Sequence, residues 1–219
     1  MKYARTIITV NPIIKQKLVA LNISYGDKIH VLENIVSIRE ETQESRDYKF
    51  DFLYISSYVQ HKNHKLLINS LPSNTSLVCL GSDLGFKGEV MKMVSTRTDV
   101  EIRILEGVSN QDLISYLKSA RVCVFPSSFE GFGIPILDVC NIHASIGFGP
   151  TTGVTEIAYG MKVRLGIKRC RRPIEGEGYI GINTVDPKEN YYYAKLHSGM
   201  SLSVLLKAMC VNPGKIPQP

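Results

Sequence analysis

At 219 residues the chain has length for one sizeable core, or one domain with an appendage, and 44% hydrophobic against 21% charged residues is ordinary for a globular fold. No apolar run approaches the roughly 18 residues of a membrane span. The opening MKYARTIITVNP lacks the apolar stretch and small-residue cleavage site of a secretory leader, which predicts a cytoplasmic protein. The net charge of +6 is unevenly spread: residues 1–150 hold 16 basic and 15 acidic side chains, whereas residues 151–219 hold 10 and 5. Six of those ten fall in KVRLGIKRCRR (162–172). Such a cluster suits a phosphate-rich partner or the anionic inner surface of a membrane, but it is also the composition of a solvated loop, the reading favoured here. Nucleic acid is not an expected partner, because no aromatic side chains interleave with the cluster in base-reading geometry. The five cysteines form no CxxC pair, and Cys79 and Cys123 lie in apolar runs where a thiol acts as a small hydrophobe.

In chain order, TIITV (6–10) predicts a strand, with Asn11 and Pro12 as cap and first position of a helix over IIKQKLVAL (13–21). KIHVLEN (28–34) predicts a second strand, and the charged REETQESRDYK (39–49) a linker or exposed loop. Then follow a buried strand FDFLYISS (50–57), a helix HKLLINSL (64–71) closed by Pro72, and a strand SLVCLGS (76–82). EVMKMVST (89–96) predicts a helix, VEIRIL (100–105) a strand, and NQDLISYLKSA (110–120) an amphipathic helix capped by Asn110. VCVFPSS (122–128) is a strand stopped by Pro126, followed by a glycine loop and a helix start at PILDVC (135–140). After residue 145 the periodicity fades: eight of the 17 glycines fall in 151–219, GIKRCRRPIEGEGYIGIN gives no clean element, and only SLSVLLKAM (201–209) predicts a helix.

This alternation predicts an α/β fold, a parallel sheet with helices on both faces, because parallel strands need helical crossovers. Ligands of such folds bind beyond the carboxyl ends of the strands. The segments there are Ser56–His64, Gly81–Gly88, Glu106–Ser109 and Ser127–Asp138. In the last, Gly131 and Gly133 allow close backbone approach, and a helix beginning near Ile134 points free N–H groups at an anion such as a diphosphate. Glu130 repels phosphate but can accept hydrogen bonds from sugar hydroxyls, and Asp138 can hold a ribose. Both acids are equally readable as a turn residue and a first-turn helix acid. Lys62 could meet a phosphate as a compact point charge, or be a solvated lysine. His61 and His64 flank it without the acid-and-histidine set of a metal site.

Taken together, FLYISSYVQHKNHKLLINSL, LVCLGSD and VSNQDLISYLKSARVCVFPSSFEGFGIPILD resemble the donor-binding half of the retaining group 1 (family four) glycosyltransferases. The EGFG-x-P-x-x-(E/D) block after an apolar strand ending in P-S is specific to them. The resemblance implies one Rossmann-like half of a B-type fold that binds a nucleoside-diphosphate sugar, with no cofactor and no metal. Glu130 then matches the active-site acid on the transferred sugar, assisted by backbone at Gly131, Phe132 and Gly133. Asp138 matches the acid on the nucleotide ribose, Lys62 the diphosphate cation, and Gly81 the glycine of the turn near the nucleotide. Val108 and Leu113 match the wall of the base. The motif HKNH is common in members that build surface polysaccharide and lipopolysaccharide, which implies a hexosyltransferase acting on a saccharide or lipid-linked acceptor, cytoplasmic or peripheral at the inner membrane face.

Three departures carry consequences. Ser57 stands where the family has a second diphosphate cation. Asp138 is one methylene shorter than the usual Glu. The family's A-C-G-x-P-V continuation is absent after Asp138, a change of texture open to two readings, divergence or a shifted reading frame. The resemblance divides the chain into an interdomain segment and domain start (1–38), a donor-binding domain (39–150) and a diverged, basic, glycine-rich region (151–219). It also begins at the junction with the family's acceptor domain, so the expected protein is a truncated transferase. The alternative is a non-catalytic nucleotide-sugar-binding remnant or subunit completed by a separate acceptor-domain chain. A sugar-nucleotide epimerase shares the architecture but would need acids and histidines from both domains.

Overall fold

The computed structural model describes residues 4–10, 12–21, 23–32, 48–128, 130, 135, 145–148, 180–182, 191–193, 202 and 206. Ile7–Thr9 (β1) and Ile29–Val31 (β2) pair in parallel, joined by helix Pro12–Leu21 (α1) and a 3-10 segment, Ile23–Lys28. Helix α1 opens on Pro12, where a missing N–H costs nothing. The alternation of the sequence predicts one sheet; instead β1 and β2 form a two-stranded sheet of their own. Of the predicted linker, 39–47 lie outside the described residues.

The larger sheet contains Phe50–Ile55 (β3), Ser76–Leu80 (β4), Glu101–Leu105 (β5), Ala120–Phe125 (β6), Ser145–Phe148 (β7), Ile180–Ile182 (β8) and Tyr191–Tyr193 (β9). Its order is β5-β4-β3-β6-β7-β8-β9. The strands from β5 to β7 are parallel, with Phe52 opposite both Leu77 and Val122. Three helices link the first four: His64–Ser70 (α2), Lys87–Val94 (α3) and Asn110–Ser119 (α4). Right-handed crossovers put α2 and α3 on one face, since β3→β4→β5 runs in one direction. The return from β5 to β6 places α4 on the other face. The strand order therefore reverses between β3 and β6, and the loops leaving these two neighbours diverge around a crevice.

The core follows from the apolar runs of the central strands. Phe52, Leu53, Leu77, Val78, Cys123 and Val124 are fully buried, and Leu67, Ile68, Val90 and Leu117 cover them from the helices. Burial pushes the Cys79 thiol up to about 12, so it stays protonated and inert.

Two expectations are corrected. The cap of α4 is Ser109, whose hydroxyl accepts the Asp112 N–H at 3.1 Å; Asn110, the predicted cap, is the first helical residue. Strand β7 closes the 39–150 domain in parallel with β6, and the region 151–219, expected to be an irregular C-terminal tail, supplies the two antiparallel strands β8 and β9 to the sheet. Leu202 and Leu206, one helical turn apart within the predicted 201–209 helix, are helical and join the core.

Candidate active site

The chain leaves β3 through Ser56 and Ser57, makes a 3-10 turn at Gln60–Lys62 and enters α2. Asn63 joins turn to helix in the left-handed region, φ 55° and ψ 35°, which Asn tolerates better than most residues with a Cβ. The chain leaves the neighbouring strand β6 through Pro126, Ser127 and Ser128 toward Glu130. Several hydrogen bonds stitch the two exits together. The Asn63 side-chain amide donates to the Pro126 carbonyl at 2.9 Å, and the Ser128 N–H donates to the His61 carbonyl at 2.9 Å. The Tyr54 hydroxyl donates its one proton to the Lys62 carbonyl at 2.6 Å, so the Ser127 hydroxyl, 3.2 Å away, must donate to the Tyr54 oxygen. Burial drives the Tyr54 pKa upward, which keeps the phenol a neutral donor.

This clasp brings Lys62 Nζ to 2.6 Å from Glu130 Oε1, with the side chains 19% and 13% exposed. Two of the predicted site residues thus meet at the reversal of strand order. Gly81 directly follows β4, next to the exit of β3, and a Cβ there would lie 1.9 Å from the Ser56 carbonyl oxygen. Its requirement for glycine comes from this close backbone contact. Val108 and Leu113 lie beyond β5, in the turn into α4 and on α4 itself, both half-buried against the core. Val108 also lines a cavity of about 400 Å³ with Phe50, Leu105, Asp112 and Tyr116. Along the strand ends the order is Val108, Gly81, Lys62, Glu130. Gly131, Phe132, Gly133 and Asp138 lie outside the described residues; Pro135 is helical, as predicted for the helix start.

The start of α3 is already occupied. Asp83 Oδ1 accepts N–H bonds from Gly85, Phe86 and Lys87 at 2.8, 3.1 and 3.2 Å, and these bonds hold its pKa low. Lys87 pairs with Glu106, whose carboxylate also accepts the Asp83 N–H at 2.7 Å. The turn at Gly81–Gly88 therefore spends its amides on its own acid, and the start of α4 is closed by Ser109 and Asp112 in the same way.

His61 and His64 do not share a surface. His61 is exposed, whereas His64 is 1% exposed and packed between the Tyr54 and Tyr58 rings, 4.8 and 5.1 Å away. Neither His64 ring nitrogen finds a hydrogen-bond partner among the described residues. Burial, then the charge of Lys62, lowers its pKa to about 4. Among the described residues no group of three or more His, Cys, Asp or Glu side chains could hold a metal ion, and no helix is long and apolar enough to cross a membrane.

Residues 37–143 match the sequence profile of the glycosyl transferases of group 1. That segment contains β3 to β6, Lys62 and Glu130. Over that segment the chain is similar to the group 1 glycosyl transferases. Among curated proteins, the O-antigen chain mannosyltransferase B of Escherichia coli is 30% identical over 113 residues, which are 48% of this chain and 30% of that protein. The chain thus spans under a third of that relative. In fold the chain is similar to a mutant of S. aureus TarM in complex with fondaparinux, alpha-GlcNAc-glycerol and UDP, with TM-score 0.61 and 15% identity over 97% of this chain and 39% of that one. It resembles WaaG, a glycosyltransferase involved in lipopolysaccharide biosynthesis, with TM-score 0.55 and 17% identity over 70% and 46% of the two chains.

Sequence reasoning picked out Lys62 and Glu130 but missed Tyr54, Asn63 and Ser127, which fix their separation. Asn63 carried a signal, an Asn between a turn and a helix start. Tyr54, inside the apolar run FDFLYI, reads as plain core.

Proposed function

We propose that this chain binds the nucleoside-diphosphate-sugar donor of a hexosyltransferase that acts on a saccharide or lipid-linked acceptor in surface polysaccharide or lipopolysaccharide synthesis. The observation that carries the reading is the Lys62–Glu130 pair, held at 2.6 Å where the strand order reverses. Lys62 offers a compact cation to the diphosphate, and Glu130 accepts hydroxyls of the sugar. The leaving nucleoside diphosphate gains negative charge as the sugar departs, so a fixed ammonium favours the transition state over the bound ground state. Strands lie about 4.8 Å apart, so β5 and β6 are separated by roughly 14 Å, a span that suits an extended nucleotide sugar. In this placement the base rests near Val108 and Leu113, the diphosphate between Gly81 and Lys62, and the hexose at Glu130. Gly131, Phe132 and Gly133 supply main-chain contacts, Asp138 the ribose contact, and no metal takes part. The names of the mannosyltransferase and of WaaG support the pathway class, and a cytoplasmic location at the inner membrane face follows from it.

Isothermal titration of the chain with UDP-glucose, GDP-mannose and dTDP-glucose, with and without EDTA, tests the reading. One of them is expected to bind irrespective of EDTA, and Lys62→Ala to weaken it by on the order of tenfold. Absence of binding by all three would overturn the assignment.

A further inference from the structure

We infer that Glu130, through its ion pair with Lys62, makes the site select an intact nucleotide sugar over the bare nucleoside diphosphate that remains after transfer. This rests on the donor-binding reading above and adds to it a discrimination between substrate and product.

The lysine does not wait as an unengaged cation. Its Nζ lies 2.6 Å from Glu130 Oε1, and both side chains are mostly buried, at 19% and 13% exposure. Nor can the turn retreat, because the Lys62 carbonyl is held by Tyr54 at 2.6 Å and Asn63 is held to Pro126 at 2.9 Å. An ammonium has three donors, so Lys62 can add a phosphate oxygen without releasing the carboxylate. The cost falls on Glu130. A bare diphosphate brings its full charge beside a poorly solvated carboxylate and offers that carboxylate no donor, and such like-charge contacts are strongly unfavourable. An intact donor carries less phosphate charge, because its terminal phosphate is esterified. It also carries hydroxyls that donate to the Glu130 oxygen left unused by Lys62. One carboxylate thus penalises the product and rewards the substrate, and the product is expelled by the group that held the sugar.

The test is isothermal titration of the full chain with UDP, GDP and dTDP, with UDP-glucose, GDP-mannose and dTDP-glucose, and with inorganic pyrophosphate. In the wild-type chain the preferred sugar nucleotide is expected to bind more tightly than its own nucleoside diphosphate. Glu130→Gln is expected to tighten the nucleoside diphosphate and pyrophosphate by on the order of tenfold, and to weaken the sugar nucleotide. Glu130→Asp, which keeps the charge, is expected to produce no such tightening. A wild-type chain that binds the bare diphosphate more tightly than the sugar nucleotide would overturn the inference, and this needs no variant. So would a Glu130→Gln chain whose affinity for the diphosphate is unchanged or reduced; in both cases nucleotide binding survives and the donor-binding reading stands. A wild-type chain that binds no nucleotide at all sinks both.

Discussion

The Asn63 amide reaches the Pro126 carbonyl at 2.9 Å, and this bond ties the lysine turn of one strand to the exit of its neighbour. Asn63 has two duties, the tie and a backbone at φ 55°. Asn63→Ala loses both, while Asn63→Gly keeps the backbone and loses the tie. Left-handed backbone costs a Cβ-bearing residue about 1–2 kcal/mol, and an orphaned buried carbonyl about 1–3 kcal/mol. In urea unfolding Asn63→Ala is therefore expected to lose about 2–5 kcal/mol, and Asn63→Gly only the roughly 1–3 kcal/mol of the lost tie. Equal losses would show that the left-handed turn carries no strain.

Gly81 tests the close approach of β4 to β3. A methyl group at this position would sit 1.9 Å from the Ser56 oxygen and 2.6 Å from its carbonyl carbon, both backbone atoms. One of the two strand ends must move, and overpacking of this kind costs about 1–3 kcal/mol or more. Gly81→Ala is expected to lower the thermal midpoint by several degrees and to reduce nucleotide affinity together with it. A variant as stable as the parent would mean that the contact relaxes freely.

His64 predicts a pH dependence. Its folded-state pKa of about 4 lies below the ordinary histidine value of 6.5. Between these values the unfolded chain binds the proton more readily, so stability falls as pH drops from about 6.5 toward 4. The full effect is at most about 3 kcal/mol. Both ring nitrogens lack hydrogen-bond partners among the described residues, so His64→Phe removes a desolvation cost and sacrifices no bond. Denaturation curves at pH 7 and pH 5 should show the wild-type chain losing stability on acidification and His64→Phe losing markedly less. Parallel losses in both chains would place the sensitivity elsewhere.

The sheet from β3 to β6 was legible because each strand is an apolar run closed by Gly, Pro or Ser, and each helix begins near a capping residue. Ser109 and Asn110 are both capping types in adjacent positions; only the geometry shows which side chain reaches Asp112. Lys62 and Glu130 were legible through their motifs. The clasp was not, since Tyr54, Asn63 and Ser127 act through contacts spanning up to 73 residues, which no local pattern encodes. Strands β8 and β9 have three residues each, too short for a period of two to register. Asp138 and the glycines of the loop lie outside the described residues, so their reading still rests on the motif.

Lys62 and Glu130 are 68 residues apart along the chain, yet they descend from adjacent strands. Everything between β4 and α4 is a detour that leaves and returns without setting their spacing. Loop length within that detour can grow at small entropic cost, since each doubling adds only about 0.6 kcal/mol. Insertions there can remodel the surroundings while the charge pair stays in place. A single residue inserted between β3 and Lys62, or between β6 and Glu130, has no such freedom and shifts one partner out of reach of the other.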